Sequence, residues 1–184
     1  MSDKSRIRTS APVERFKFRF GMRLLIVVVS LLAVALGFVT NKAHQQRTAV
    51  NWVRANGGMV TYDFDRTLED LPGPGWAHSL FGVDFFAVPV GVSLNYALVE
   101  DITPLSRLRQ LDTVLLTGTF VGDVTPLSHL NRLETLQLDV TEVTDVLPLM
   151  KLRQLQYLNL SGNNISKDDL ERLQSALPKC RIDF

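Results

Sequence analysis

Apolar and polar positions recur along the second half of the chain with a period of 22 residues. Leu111, Leu133, Leu155 and Leu177 share one phase, followed three and five residues later by Val114/Leu116, Leu136/Leu138, Leu158/Leu160 and Cys180/Ile182. Asp101, Asp123 and Asp145 keep the same spacing, as do Pro104, Pro126 and Pro148 and the slot holding Thr119, Thr141 and Asn163. A unit this small cannot bury its own apolar side, so neighbouring units must stack on a shared core. The alternation at the third and fifth positions predicts a short strand in each unit, and stacked strands make a parallel sheet. The Asp-apolar-x-Pro-Leu stretch returns the chain along the outer side. Proline removes a donor and discourages a long helix, which predicts a tight 3₁₀-like turn there. Thr119, Thr141 and Asn163 are placed to bond backbone groups left unpaired where the strand turns away, which Ala97 in the first unit cannot do.

The fourth unit departs from this pattern. Leu170 stands where a proline is expected, and Leu170, Leu173 and Leu177 are spaced for a helix over residues 167–175, with Ser166 and Asp169 as its capping pair. Leu177, Cys180 and Ile182 then predict a last strand, with Lys179, Arg181 and Asp183 on its open side blunting edge pairing. Cys180 falls in the slot of Leu136 and Leu158, so a buried apolar role is expected for it.

The first half is organised differently. Residues 24–40 contain no charge in seventeen positions, and residues 21–40 taken as a helix span about 30 Å, the thickness of a bilayer core. Seven basic residues precede the run, while Lys42, Arg47 and Arg54 follow it. The charge bias therefore predicts an uncleaved single-pass anchor with a cytoplasmic N-terminus and extracytoplasmic repeats. A cleaved signal peptide is the competing reading. Its nominal small-x-small site, Ala33-Val34-Ala35, lies inside the apolar run. Ala33 and Gly37 form a minimal small-xxx-small pair through which two such helices could approach as a weak homodimer. Residues 41–55 hold no helix breaker and are expected to extend the helix as a stalk until Gly57-Gly58 ends it. Residues 59–64 alternate as a strand, residues 65–75 read as a loop, and Trp76, Leu80, Phe81, Phe85 and Phe86 are expected to cap the first repeat. The expected divisions are a basic tail 1–23, a transmembrane helix 24–40, a helical stalk 41–58, a cap region 59–88 and a repeat domain 89–184.

Two resemblances rest on these residues. The blocks Asp101-Ile102-Thr103-Pro104-Leu105, Asp123-Val124-Thr125-Pro126-Leu127 and Asp145-Val146-Leu147-Pro148-Leu149 resemble the 22-residue leucine-rich-repeat subclass typified by internalins. That resemblance implies an α/β fold, a solenoid with a parallel sheet on the concave side and 3₁₀ or short α segments on the convex side. The overall layout is similar to bacterial signal-anchored proteins: a basic-aromatic tail at residues 15–20, an apolar anchor, a polar helix ending in Gly-Gly, and Asp84-Phe85-Phe86 before the repeats. It implies an envelope location and no assigned activity.

Charge refines the picture by its distribution. Residues 1–40 carry seven Lys and Arg against Asp3 and Glu14, a net +5, which leaves −4 for the remainder of a chain whose net charge is +1. A mildly acidic domain argues against nucleic-acid binding, which needs a basic face. One cysteine excludes an internal disulfide. The histidines, His44, His78 and His129, lack metal-ligand spacing, and no cofactor motif is present. One stretch, Asp63-Phe64-Asp65-Arg66-Thr67 after an apolar strand, resembles the nucleophile motif of haloacid-dehalogenase-like phosphatases. The resemblance implies Asp63 as nucleophile and Asp65 as acid or base with Mg²⁺. Arg66 replaces the usual glycine, and the residues needed for a doubly wound domain are committed to the 22-residue period.

A surface remains as the candidate site. Alternation turns Gly91, Ser93 and Asn95; Thr113, Leu115 and Thr117; Thr135, Gln137 and Asp139; Tyr157, Asn159 and Ser161; and Lys179, Arg181 and Asp183 toward the inner curve, where solenoids usually bind proteins. Leu115 and Tyr157 are its apolar members, and tyrosine is a favoured anchor in interfaces. A protein partner is therefore expected. A scaffold that only spaces an envelope assembly is the alternative.

Overall fold

The computed structural model describes residues 19–64 and 87–184. The aromatic cluster from Trp76 to Phe86, the proposed acid or base Asp65, His78 and the basic tail through residue 18 lie outside the described residues.

A long helix, α1, runs over Arg19–Ala55. Its apolar part, residues 24–34, leaves Leu24, Leu25, Ile26, Val27, Val28, Val29, Leu31, Leu32 and Val34 all about half exposed or more. Because these positions are nearly consecutive, the apolar surface runs around the whole helix rather than along one stripe. Among the described residues no helix is long and apolar enough to cross a membrane. The side chains of residues 35, 36 and 38–40, which complete the expected span, lie outside the described residues.

Residues 41–184 form one unit, and the last turns of α1 belong to it. Ala49, Val50 and Val53 are fully buried in the same apolar core as the repeat leucines, with Trp52 packed alongside. The segment expected to extend the helix as a stalk also closes the end of the repeat stack, because its one apolar face has the open end of the core to cover. Gly57 ends the helix in the left-handed region at φ 75°. Gly57 N donates to Arg54 O at 3.0 Å and Gly58 N to Val53 O at 2.9 Å, which satisfies the last carbonyls.

The chain then enters β1, Met59–Tyr62, which pairs antiparallel with β2, Pro89–Ser93. Four three-residue strands follow in parallel: β3 Thr113–Leu115, β4 Thr135–Gln137, β5 Tyr157–Asn159 and β6 Arg181–Asp183. The sheet order is β1-β2-β3-β4-β5-β6, each strand beside its sequence neighbour. Gly91 pairs with Thr113, Thr113 with Thr135, and Thr135 with Tyr157, so each step advances by one repeat. Val114, Leu136 and Leu158 point inward and are fully buried.

Three 3₁₀ turns, Thr103–Arg107, Thr125–His129 and Leu147–Lys151, carry the chain back on the outer side, each with proline at its start. The repeated aspartates initiate them. Asp101 Oδ1 accepts from Thr103 N at 2.8 Å, Asp123 Oδ1 from Thr125 N at 2.8 Å, and Asp145 Oδ1 from Leu147 N at 2.9 Å. The period marks these aspartates, but the turn they close is visible only in the folded backbone. The polar slot behaves as its chemistry suggests. Thr119 Oγ1 donates to Leu116 O at 2.8 Å, and Asn163 Nδ2 donates to Leu138 O at 2.7 Å and Leu160 O at 2.9 Å, joining adjacent units.

The last unit carries a ten-residue helix, α2, over Lys167–Ala176, with Ser166 as N-cap accepting from Asp169 N at 3.1 Å. Its return to the sheet differs from expectation. Tyr157 pairs with Arg181 and Leu158 with Ile182, a step of 24 rather than 22. Ile182 therefore occupies the Leu158 slot and Cys180 does not. An α-helix is wider than a 3₁₀ turn, and the chain spends two further residues after Leu177 in regaining the sheet.

Candidate functional site

The open face of the sheet is set by strand alternation, and its register aligns side chains in columns. One column runs Gly91, Thr113, Thr135, Tyr157, Arg181, and the next runs Ser93, Leu115, Gln137, Asn159, Asp183. From Thr113 to Asn159 these side chains are half-exposed, flanking a buried residue in each strand. A third column follows the strands and is linked by hydrogen bonds. Asn95 Oδ1 accepts from Thr117 N at 3.0 Å, and Thr117 Oγ1 donates to Asp139 Oδ1 at 2.9 Å. Asn159 Oδ1 accepts from Ser161 N at 3.1 Å.

The longer last unit changes the membership of this face. Arg181 stands beside Tyr157 rather than in the central column, and Lys179 falls in the exposed turn before β6, off the face. Gly91 is buried, where β1 pairs with β2.

A linked set of contacts surrounds Tyr157. Its hydroxyl donates to Asp183 Oδ2 at 3.0 Å, and the Arg181 guanidinium carbon lies 5.8 Å from the ring centroid. Arg181 Nε also donates to Asp183 Oδ1 at 3.2 Å. Donation to the Asp183 carboxylate favours the neutral phenol and raises the Tyr157 pKa. Arg181 is exposed, so its ion pair with Asp183 is worth at most about 1 kcal/mol. The result is an aromatic ring oriented by its two neighbours on the last strand, beside Asn159 on its own strand and Gln137 on the next, with the apolar Leu115 one strand further on. Nothing in this arrangement activates a nucleophile. It offers hydrogen-bonding groups and apolar area to a partner surface.

The remaining candidates have structural settings. Asp63 Oδ1 accepts from Val88 N at 3.0 Å while Asp63 N donates to Val88 O at 3.0 Å, closing the backbone beyond β1. The parallel strands next to it belong to a single sheet with 3₁₀ turns behind it, not to a doubly wound domain. His129 is exposed, with Nδ1 2.9 Å from Ser128 Oγ. Cys180 is half-buried, and burial pushes its thiol up to about 11. Among the described residues no His, Cys, Asp or Glu cluster could hold a metal ion.

A parallel strand and a 3₁₀ return per 22-residue unit, with leucines pointing inward, define a leucine-rich-repeat solenoid. No protein-family model matches the chain, and no curated protein does. Solved structures similar to it include an internalin of Listeria monocytogenes, 26% identical over 52% of this chain with a TM-score of 0.48. Internalin C2 of the same organism is 29% identical over 55% with a TM-score of 0.49. A leucine-rich-repeat protein of Leptospira interrogans is 29% identical over 50% with a TM-score of 0.44. The matched part spans 27%, 43% and 24% of those chains.

Proposed function

We propose that this chain is a membrane-anchored, non-enzymatic module whose repeats present a protein-binding surface outside the cytoplasm. The observation that carries the binding reading is the open sheet face around Tyr157, where Asp183 and Arg181 orient the ring beside an otherwise polar, half-exposed strip. Rigid aromatic side chains with a polar tip are the groups that dominate protein interfaces.

The anchor reading rests on the seventeen uncharged residues 24–40 and on apolar side chains exposed all around the helix over residues 24–34. A helix apolar on every side is stable inside a protein core or a bilayer. The basic excess before it orients the repeats outward, and Ala33 and Gly37 offer the contact for a weak homodimer.

Affinity capture from envelope extracts with the wild type and with a Leu115→Ala/Tyr157→Ala/Arg181→Ala variant tests the binding face. Loss of specific captured proteins in the variant is the expected result. Equal capture by both leaves the scaffold reading. Alkaline carbonate extraction and protease accessibility in right-side-out and inverted vesicles test the anchor. Release by carbonate, or repeats digested only from the cytoplasmic side, would refute it.

A further inference from the structure

The residues just past the open face form a second surface. Positions 96, 118, 140 and 162 occupy equivalent places in successive units, and all are left-handed: Tyr96 at φ 60°, Gly118 at 68°, Val140 at 53° and Gly162 at 78°. Glycine adopts this conformation without steric cost, whereas a β-branched residue is strained in it. Yet Tyr96 and Val140 are 77% and 65% exposed, so neither is held there by the core. Leu98, 85% exposed, and Phe120, 47% exposed, occupy the slot two residues further on. Neighbouring units touch along this edge. A Cβ on Gly118 would come within 2.6 Å of the Tyr96 ring, and one on Gly162 within 3.4 Å of Val140. Phe120 N donates to Val99 O at 3.1 Å. Strain combined with exposed apolar area at recurring positions is the kind of local conflict found at functional surfaces.

Over the first three units this edge carries charge of one sign, whereas in the fourth Lys167 and Arg172 stand among Asp168, Asp169 and Glu171. Residues 95–106, 117–128 and 139–150 contain no Lys or Arg, but hold Glu100, Asp101, Asp123, Asp139, Glu142 and Asp145. The opposite edge, residues 107–112, 129–134 and 151–156, carries Arg107, Arg109, Arg132, Lys151 and Arg153 against Asp112 and Glu134. Within the mildly acidic repeat domain the charges are thus unevenly distributed between the two sides of these three units.

We propose that the acidic, apolar edge binds a cationic amphipathic segment of another protein, its Lys and Arg side chains meeting the carboxylates and its apolar side chains covering Tyr96, Leu98 and Phe120. Complementary charge steers and orients such a segment, while the apolar contacts supply the affinity. A second copy of this chain fits less well. Among the described residues, its basic edge exposes no large apolar side chain that would cover Tyr96 and Leu98. Anionic lipid headgroups are repelled by the carboxylates.

The full chain in zwitterionic detergent is titrated into a fluorescently labelled amphipathic peptide of Lys and Leu, with a Lys/Ser peptide of equal charge as control. The Lys/Leu peptide is expected to bind. Tyr96→Ser/Leu98→Ser and Glu100→Lys/Glu142→Lys should each weaken binding about tenfold. These side chains are exposed, so melting curves should match the wild type. Leu115→Ala/Tyr157→Ala, which strips the open sheet face, should bind as the wild type does. Four results overturn the proposal: no binding by the wild type, equal binding of the Lys/Ser peptide, unchanged binding by Tyr96→Ser/Leu98→Ser, or loss of binding in the open-face variant. Self-association of the full chain abolished by Arg109→Glu/Arg153→Glu would identify a second copy as the occupant, and would overturn it too.

Discussion

Val140 shows how a single backbone angle can limit stability. Its φ of 53° is shared with Gly118 and Gly162 in equivalent places, so the turn after each strand demands the left-handed region whatever residue arrives there. A non-glycine residue in that region costs about 1–2 kcal/mol. Glycine gives back part of this through its more flexible unfolded state, and asparagine gives back less. Val140→Asn should therefore raise stability by about 1 kcal/mol, seen as a higher denaturant midpoint with an unchanged slope. The turn aspartates give a second residue-scale expectation. Hydrogen bonds from Thr103 and Thr125 lower the pKa of Asp101 and Asp123. A carboxylate whose folded pKa is depressed contributes stability that is complete above its unfolded value near 4 and is lost as pH falls through the folded value. Denaturation curves between pH 5 and pH 2 should show an acid loss that shrinks in Asp101→Asn/Asp123→Asn. The effect is small because both groups are exposed.

At the scale of elements, α1 and the sheet meet closely at Gly58. A Cβ on Gly58 would lie 2.5 Å from Leu94 Cδ2, 2.7 Å from Val53 Cγ1 and 2.9 Å from the Ser93 carbonyl oxygen. Backbone cannot give way as a side-chain end can, so Gly58→Ala must displace the helix end or β2. A loss of about 2 kcal/mol is expected, measurable by thermal melting. The two capping events of the helices were legible to different degrees. Ser166 and Asp169 carry a capping pattern in their spacing, and Gly57-Gly58 a stop signal. Burial of Ala49, Val50 and Val53 was not legible as docking, because an amphipathic stretch does not say what its apolar face meets. Ser166→Ala should cost about 1 kcal/mol and fray α2, seen as faster amide exchange over residues 167–170.

For the whole molecule, the division of labour among segments follows from where the core ends. Since Ala49, Val50 and Val53 belong to the same core as the repeat leucines, a fragment beginning at residue 41 should fold cooperatively. A fragment beginning at residue 59 exposes the end of the stack and should aggregate or lose its sharp melt. Circular dichroism and gel filtration of the two fragments distinguish these outcomes. Equal stability would mean that the helix end contributes nothing to the repeats.

The amino-acid sequence by itself determined the repeat: its period, its strands, its proline-started turns and which leucines point inward. These follow from local alternation and from the inability of one unit to bury its own apolar side. It also determined most of the open face, since a side-chain period of two leaves no freedom within a strand. Only the tertiary structure decided that the last strand is shifted by two residues. That shift moves Arg181 beside Tyr157 and Lys179 off the face, because the width of α2 governs how much chain is needed to return. Only the tertiary structure decided, likewise, that the left-handed slot holds a tyrosine and a valine in the open. Backbone angle and exposure are properties of the assembled stack, where each unit's conformation is imposed by the units on either side.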